Sequence, residues 1–229
     1  MAIMRPGPLA GQLSGRVGGI VFSRNRGGDY VRNGPSPLNP QTSYQVAVRN
    51  ALALASGRWN DMGAIARAAW KAWAENNPAQ NRLGESIRLQ GNAAFVMFNS
   101  RLAYLGIAVV DTPPVISAPP SLLTLVPTFD VGAGAFQVAY TTTPLGAGTK
   151  LWVLGCRPMS LGISFVRNKL RHFITGAAAG VSPLDIESAF YARFGTPAVG
   201  ENIVVRAGVL GADGQLSAML QASALVTTT

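Results

Sequence analysis

Hydrophobic and polar positions change their spacing twice along the chain, which predicts three zones. In residues 1–38 apolar residues are sparse and broken up by Gly and Pro, leaving one hairpin pattern. Ile20–Arg24 and Tyr30–Arg32 read as two strands, with Asn25-Arg26-Gly27-Gly28 as the turn between them. A two-stranded hairpin is marginal in water without a second surface against its apolar side. Ile20, Phe22, Tyr30 and Val31 are therefore the expected contacts with another subunit. Pro35, Pro37 and Pro40 forbid regular pairing beyond this point.

From residue 39 the apolar spacing becomes helical. Asn39 as N-cap and Pro40 in the first turn predict a start. Tyr44, Val48, Leu52, Ala55 and Trp59 then share one face, until Asn60-Asp61 and Gly63 break the run. A second helix follows, with Ile65, Ala69 and Trp73 on a face beside Met62, Ala66 and Trp70, and Asn76-Asn77-Pro78 ends it. A third run, Asn92 to Leu105, is built on Phe95, Phe98, Leu102 and Leu105. Residues 39–110 thus predict a small helical bundle with Trp59, Trp70 and Trp73 in its core.

After Pro113-Pro114 and Pro119-Pro120 the period falls to two. Phe136, Val138 and Tyr140 alternate, as do Leu151, Val153 and Gly155, then Ile203, Val205 and Ala207. Asn202–Leu210 and Leu216–Val226, separated by Gly211-Ala212-Asp213-Gly214, predict a hairpin. Ser182 as N-cap with Pro183 behind it predicts a short helix over residues 182–191. The whole reads as an α+β multidomain chain: an arm over 1–38, a helical module over 39–110, and an antiparallel β-sandwich of immunoglobulin or fibronectin type III kind over 111–229.

Composition sharpens this picture. The 229 residues are 48% hydrophobic and only 13% charged, against about a quarter in a typical domain. A packed core is affordable and disorder is not indicated. The net charge of +9 is uneven, with +8 in residues 1–110 and +1 in 111–229. A basic half suggests a polyanionic or acidic neighbour, and Arg16, Arg24, Arg26 and Arg32 are the expected contacts with it. Interleaved with Phe22 and Tyr30, these arginines make nucleic acid an alternative partner.

Candidate chemistry is sparse. A single cysteine, Cys156, excludes an intrachain disulfide. Its pairing with the single histidine, His172, would need a third orienting residue that the sequence does not offer. Nucleophile-elbow, phosphate-loop and zinc-protease signatures are absent, and Asp185 with Glu187, two apart on a helix, diverge. No catalytic residue, cofactor, metal or small-molecule substrate is expected. The first residues carry no apolar stretch of signal-peptide type, and no run of about 18 apolar residues predicts a membrane span. The expected site of synthesis is a cytoplasm.

Gly15-Arg16-Val17-Gly18-Gly19-Ile20-Val21-Phe22-Ser23, Gly28-Asp29-Tyr30-Val31-Arg32, Asn39-Pro40-Gln41-Thr42, Gln45, Arg49, Trp59 and Arg67-Ala68-Ala69-Trp70 follow one another in an order. This order resembles a group of small proteins of unassigned function found in bacteria and in phage-like gene neighbourhoods. The resemblance covers about the first hundred residues and implies a variable β-rich domain behind the module. It also implies a virion or surface-assembly setting, and it transfers no catalytic residue. The expected function is a non-enzymatic subunit of a phage particle (capsid, decoration, collar or tail), binding copies of itself and other subunits. The alternatives are a nucleic-acid-binding protein and a surface adhesin.

Overall fold

The computed structural model describes residues 2–3, 7, 13–25, 28–34, 39–80, 85–115, 118–163 and 165–228. The chain divides into two compact units, residues 1–46 and 47–229. It is mixed α+β throughout its described length.

The first unit holds a four-stranded antiparallel sheet of β1 (Ala2–Ile3), β2 (Gly15–Val17), β3 (Ile20–Asn25) and β4 (Gly28–Asn33), in the order β1-β4-β3-β2. The expected hairpin is β3–β4, and its turn residues Arg26 and Gly27 lie outside the described residues. Strand β2 was not expected. It pairs with β3 through the Gly18-Gly19 turn, whose first residue takes a φ of +57° that glycine adopts without steric cost. Among the residues of this unit whose side chains are described, none is buried.

Helix α1 (Ser43–Asp61) begins later than Asn39 and Pro40 predict. Gln41 has a φ of +46°, which breaks the helical path, and Thr42 Oγ1 instead accepts a bond from the Gln45 N–H at 3.4 Å. The expected face of α1 is present in part: Ala55 is buried and Trp59 packs on the bundle core, but Val48 and Leu52 are about half exposed, and Ala51, outside the expected stripe, is buried. In α2 (Ala64–Asn76), Trp70 and Ala74 are buried and Ile65 stands in solvent at 88% exposure.

A two-residue ladder, β5 (Ala79–Gln80) with β6 (Ser86–Ile87), leads to α3 (Gly91–Tyr104), which buries Phe95, Phe98 and Leu102 as expected. The tryptophans are core residues. Trp70 meets Phe95 edge-on at 5.3 Å, Trp73 meets Phe98 edge-on at 5.2 Å, and Trp59 lies 5.6 Å from Phe95. The α2–α3 crossing is close because position 91 is glycine: a Cβ there would fall 2.9 Å from the Lys71 backbone.

The remaining strands are β7 (Thr124–Asp130), β8 (Ala135–Thr141), β9 (Lys150–Gly155), β10 (Arg171–Ala178), β11 (Leu184–Asp185), β12 (Asn202–Leu210) and β13 (Leu220–Thr227). They form one seven-stranded sheet in the order β10-β9-β12-β13-β7-β8-β11. The expected β12–β13 hairpin is present, but the sheet is not wholly antiparallel. Strand β13 pairs in parallel with β7 at Val226 opposite Phe129 and Thr227 opposite Asp130, joining the two halves of the sheet. Its two outer strands return toward each other, since Leu184 on β11 lies 3.7 Å from where a Cβ of Gly176 on β10 would be. The sheet is therefore nearly closed around one core that includes Phe129, Phe136, Val153, Val205 and Phe190.

Phe190 belongs to α4 (Glu187–Phe194), which starts later than Ser182 and Pro183 predict. The Ser182 hydroxyl is taken by the Tyr140 N–H at 2.9 Å, and Leu184-Asp185 is spent on pairing with β8. Asp185 then accepts the Glu187 N–H and opens the helix.

Helices and sheet meet inside the second unit. Arg101 of α3 donates to the Gly214 carbonyl at 3.0 Å, and a Cβ at Gly214 would lie 2.5 Å from the Phe98 carbonyl oxygen. On the other side of α3, buried Asn99 donates to the Val110 carbonyl and accepts from the Val110 N–H. Replacing Asn99 by Leu keeps the bulk and orphans both Val110 groups, so Asn99→Leu is expected to lower stability by about 2–4 kcal/mol in denaturant unfolding. Arg58→Ala, which removes an exposed ion pair with Asp111, is expected to leave the denaturant midpoint almost unchanged.

Candidate interaction surface

The residues expected to carry function from the sequence sit in the four-stranded sheet of residues 1–46, and its register sorts them. Directly opposed residues of an antiparallel ladder project to the same face. Val17 opposes Ile20, and Phe22 opposes Val31. These four, at alternate positions of their strands, form one apolar face. Val17 is 71% exposed and Ile20 44%, while Phe22 and Val31 are half-buried.

Arg24 lies at the end of this same face, opposed to Asp29 and 3.7 Å from it. It is thus separated from Arg16 and Arg32, which leave the sheet on the other side. Tyr30 also lies on that other face, opposed to Ser23, so it does not join Ile20, Phe22 and Val31. Arg26 lies outside the described residues. Val17, on the edge strand β2, escaped the sequence reading as a member of the apolar face. The Gly18-Gly19 pair between two β-branched residues was the signal for its strand.

Candidate chemistry elsewhere resolves into packing. Cys156 is buried with Met159, Val166, Leu170 and Val204, and that burial pushes its thiol up from the ordinary value, away from the reactive thiolate. His172 stacks on Trp152 at 3.8 Å between ring centres, meets Tyr104 edge-on at 5.2 Å, and places Nε2 2.8 Å from Thr175 Oγ1. Its surroundings differ from those of Cys156. An open cleft of about 560 Å³ lies between α2 and the start of α3, with Trp59, Lys71, Glu75 and Arg88 among its walls. Among the described residues no group of three His, Cys, Asp or Glu could hold a metal ion. No helix among them is long and apolar enough to cross a membrane.

In comparisons with known proteins, no family model matches this chain and no curated protein matches it.

His172 has a measurable signature. Burial, with a smaller push from Arg193, lowers its pKa from 6.5 to about 4. Between those values the unfolded chain takes up a proton that the folded one refuses, so stability is expected to fall as pH drops from 6.5 toward 4. His172→Gln is expected to flatten that part of the profile, read as denaturant midpoint against pH. An unchanged slope would mean that His172 is solvated.

Proposed function

We propose that this chain is a non-enzymatic structural subunit of a large assembly, a phage particle in the first instance, with residues 1–46 docking on neighbouring copies. The capsid, decoration, collar and tail are the candidate positions, and the virion is the corresponding location. One observation carries this reading: an arm sheet whose apolar face leaves Val17 mostly and Ile20 nearly half exposed, in a unit with no buried residue among those whose side chains are described. A sheet stabilises itself by burying one face against a second layer. A neighbouring molecule supplies that layer in the proposed assembly.

Two further features support it. The backbone groups along the outer side of β2 belong to an edge strand, the usual starting point for pairing between chains. The second unit carries buried hydrophobic clusters of its own, so its folding does not call on the apolar face of residues 1–46. Within the second unit, a sandwich of immunoglobulin or fibronectin type III kind is the finer fold we propose. It is supported by strands that alternate buried and exposed residues and by a core drawing on both halves of the sheet.

The test is self-association of the full chain, measured by size-exclusion chromatography with light scattering across a concentration series. At roughly 25 cal/mol per Å² of apolar surface, covering Val17 and Ile20 contributes on the order of 2 kcal/mol together. Val17→Ser with Ile20→Ser is therefore expected to weaken association about tenfold or more. A chain that stays monomeric at high concentration, and is indifferent to removal of residues 1–38, overturns the reading.

A further inference from the structure

Arg16, Val21 and Arg32 occupy one row across three neighbouring strands, because Arg16 opposes Val21 and Val21 opposes Arg32. All three project to the face opposite Val17, Ile20, Phe22 and Val31. With strands about 4.8 Å apart, the two arginine Cα atoms stand roughly 10 Å from each other. The next row on this face holds Ser23 and Tyr30, so an aromatic ring stands beside the cationic row.

Both arginines are exposed. Arg16 is held in place by donating Nε–H to the Gly18 carbonyl at 2.9 Å, which sets its guanidinium over Gly34. The charge on this face is uncompensated within the unit. Residues 1–46 contain five arginines and a single acid, Asp29. Asp29 lies on the other face, beside Arg24.

We propose that this face of the arm sheet binds single-stranded nucleic acid. Charge complementarity selects a polyanion: guanidinium groups offer paired donors to phosphate oxygens, and two of them in one row follow a backbone. The ring of Tyr30 selects nucleic acid over an acidic protein surface, since a base can stack on it whatever the sequence. Protein neighbours and nucleic acid then take opposite faces of one sheet. The nucleic-acid face does not depend on the apolar face being occupied, and each can fail alone.

Fluorescence anisotropy of the full chain with a labelled single-stranded oligonucleotide of mixed sequence tests the proposal, with salt raised from about 50 mM to about 200 mM. The affinity is expected to fall with salt, by about 0.7 in log-log slope for each phosphate contact. Arg16→Gln with Arg32→Gln is expected to weaken binding about tenfold and make the slope shallower by about 1.4, for two lost contacts. Tyr30→Leu is expected to weaken binding about fivefold or more with the slope unchanged. Val17→Ser with Ile20→Ser is expected to leave binding intact while weakening self-association. Circular dichroism checks that each variant folds, and the unaltered chain supplies its own test through competition by polyglutamate. Absence of salt-dependent binding at low salt overturns the proposal. So does polyglutamate displacing the oligonucleotide as well as unlabelled oligonucleotide does, which assigns the face to an acidic protein.

Discussion

The helical part of the second unit is organised by one dipeptide. Val110 exchanges two hydrogen bonds with the buried amide of Asn99 on α3, and the Asp111 carbonyl accepts from the indole of Trp70 on α2 at 2.7 Å. The Asp111 carboxylate is held by Arg58 of α1, which keeps it below the usual carboxylate range. Two helices, α2 and α3, are thus tied to two residues of extended chain, and α1 reaches the same place only through an exposed ion pair. Short helices are marginal alone, and polar ties that leave no buried backbone group unpaired fix which way each helix faces. Trp70 and Phe95, and Trp73 and Phe98, can then interlock edge to face, with Trp59 tilted against Phe95.

Because α3 is fixed on that side, its other side sets how the helices meet the sheet. The turn after β12 carries Gly214 against the α3 backbone, at a distance that excludes any side chain. Arg101, partly desolvated and so pulled below its ordinary pKa, spends a donor on the Gly214 carbonyl. The sheet itself is closed by different means, with the parallel β13–β7 pair joining its halves and the Phe190 ring of α4 in the shared core.

Much of this was legible in the chain. Period-two alternation found β8 and β9, because a strand with one more deeply buried face leaves that mark whatever its neighbours are, while β12, buried on both faces, was found by its apolar run before the Asp-Gly turn. Aromatic residues located the bundle core for a similar reason: rings of that size have few other places to go. What failed was local. Ser182 and Asn39-Pro40 both look like helix starts, yet Ser182 is claimed by β8 and the chain turns aside at Gln41. Tertiary partners decided there, and a window of sequence does not contain them. The stripe on α1 held at Ala55 and Trp59 and failed at Val48 and Leu52, which are about half exposed, while Ala51 is buried and a residue as small as alanine marks a face only weakly. In the arm, the residues singled out fall on two faces of the sheet rather than one. Their division into two faces depends on which residue opposes which, and that in turn needs β2.

The arm sheet is thin enough that the parity of each position decides what it meets. In β3, Ile20 and Phe22 belong with the apolar set and Val21 with the arginines, so neighbours one step apart have different environments. A change of residue at one position alters that position alone. Gain or loss of a single codon within β3 would turn every later side chain of the strand over, moving nonpolar groups into the cationic row. Descendants of this chain should therefore keep the length of β3 constant, with length variation confined to the turns.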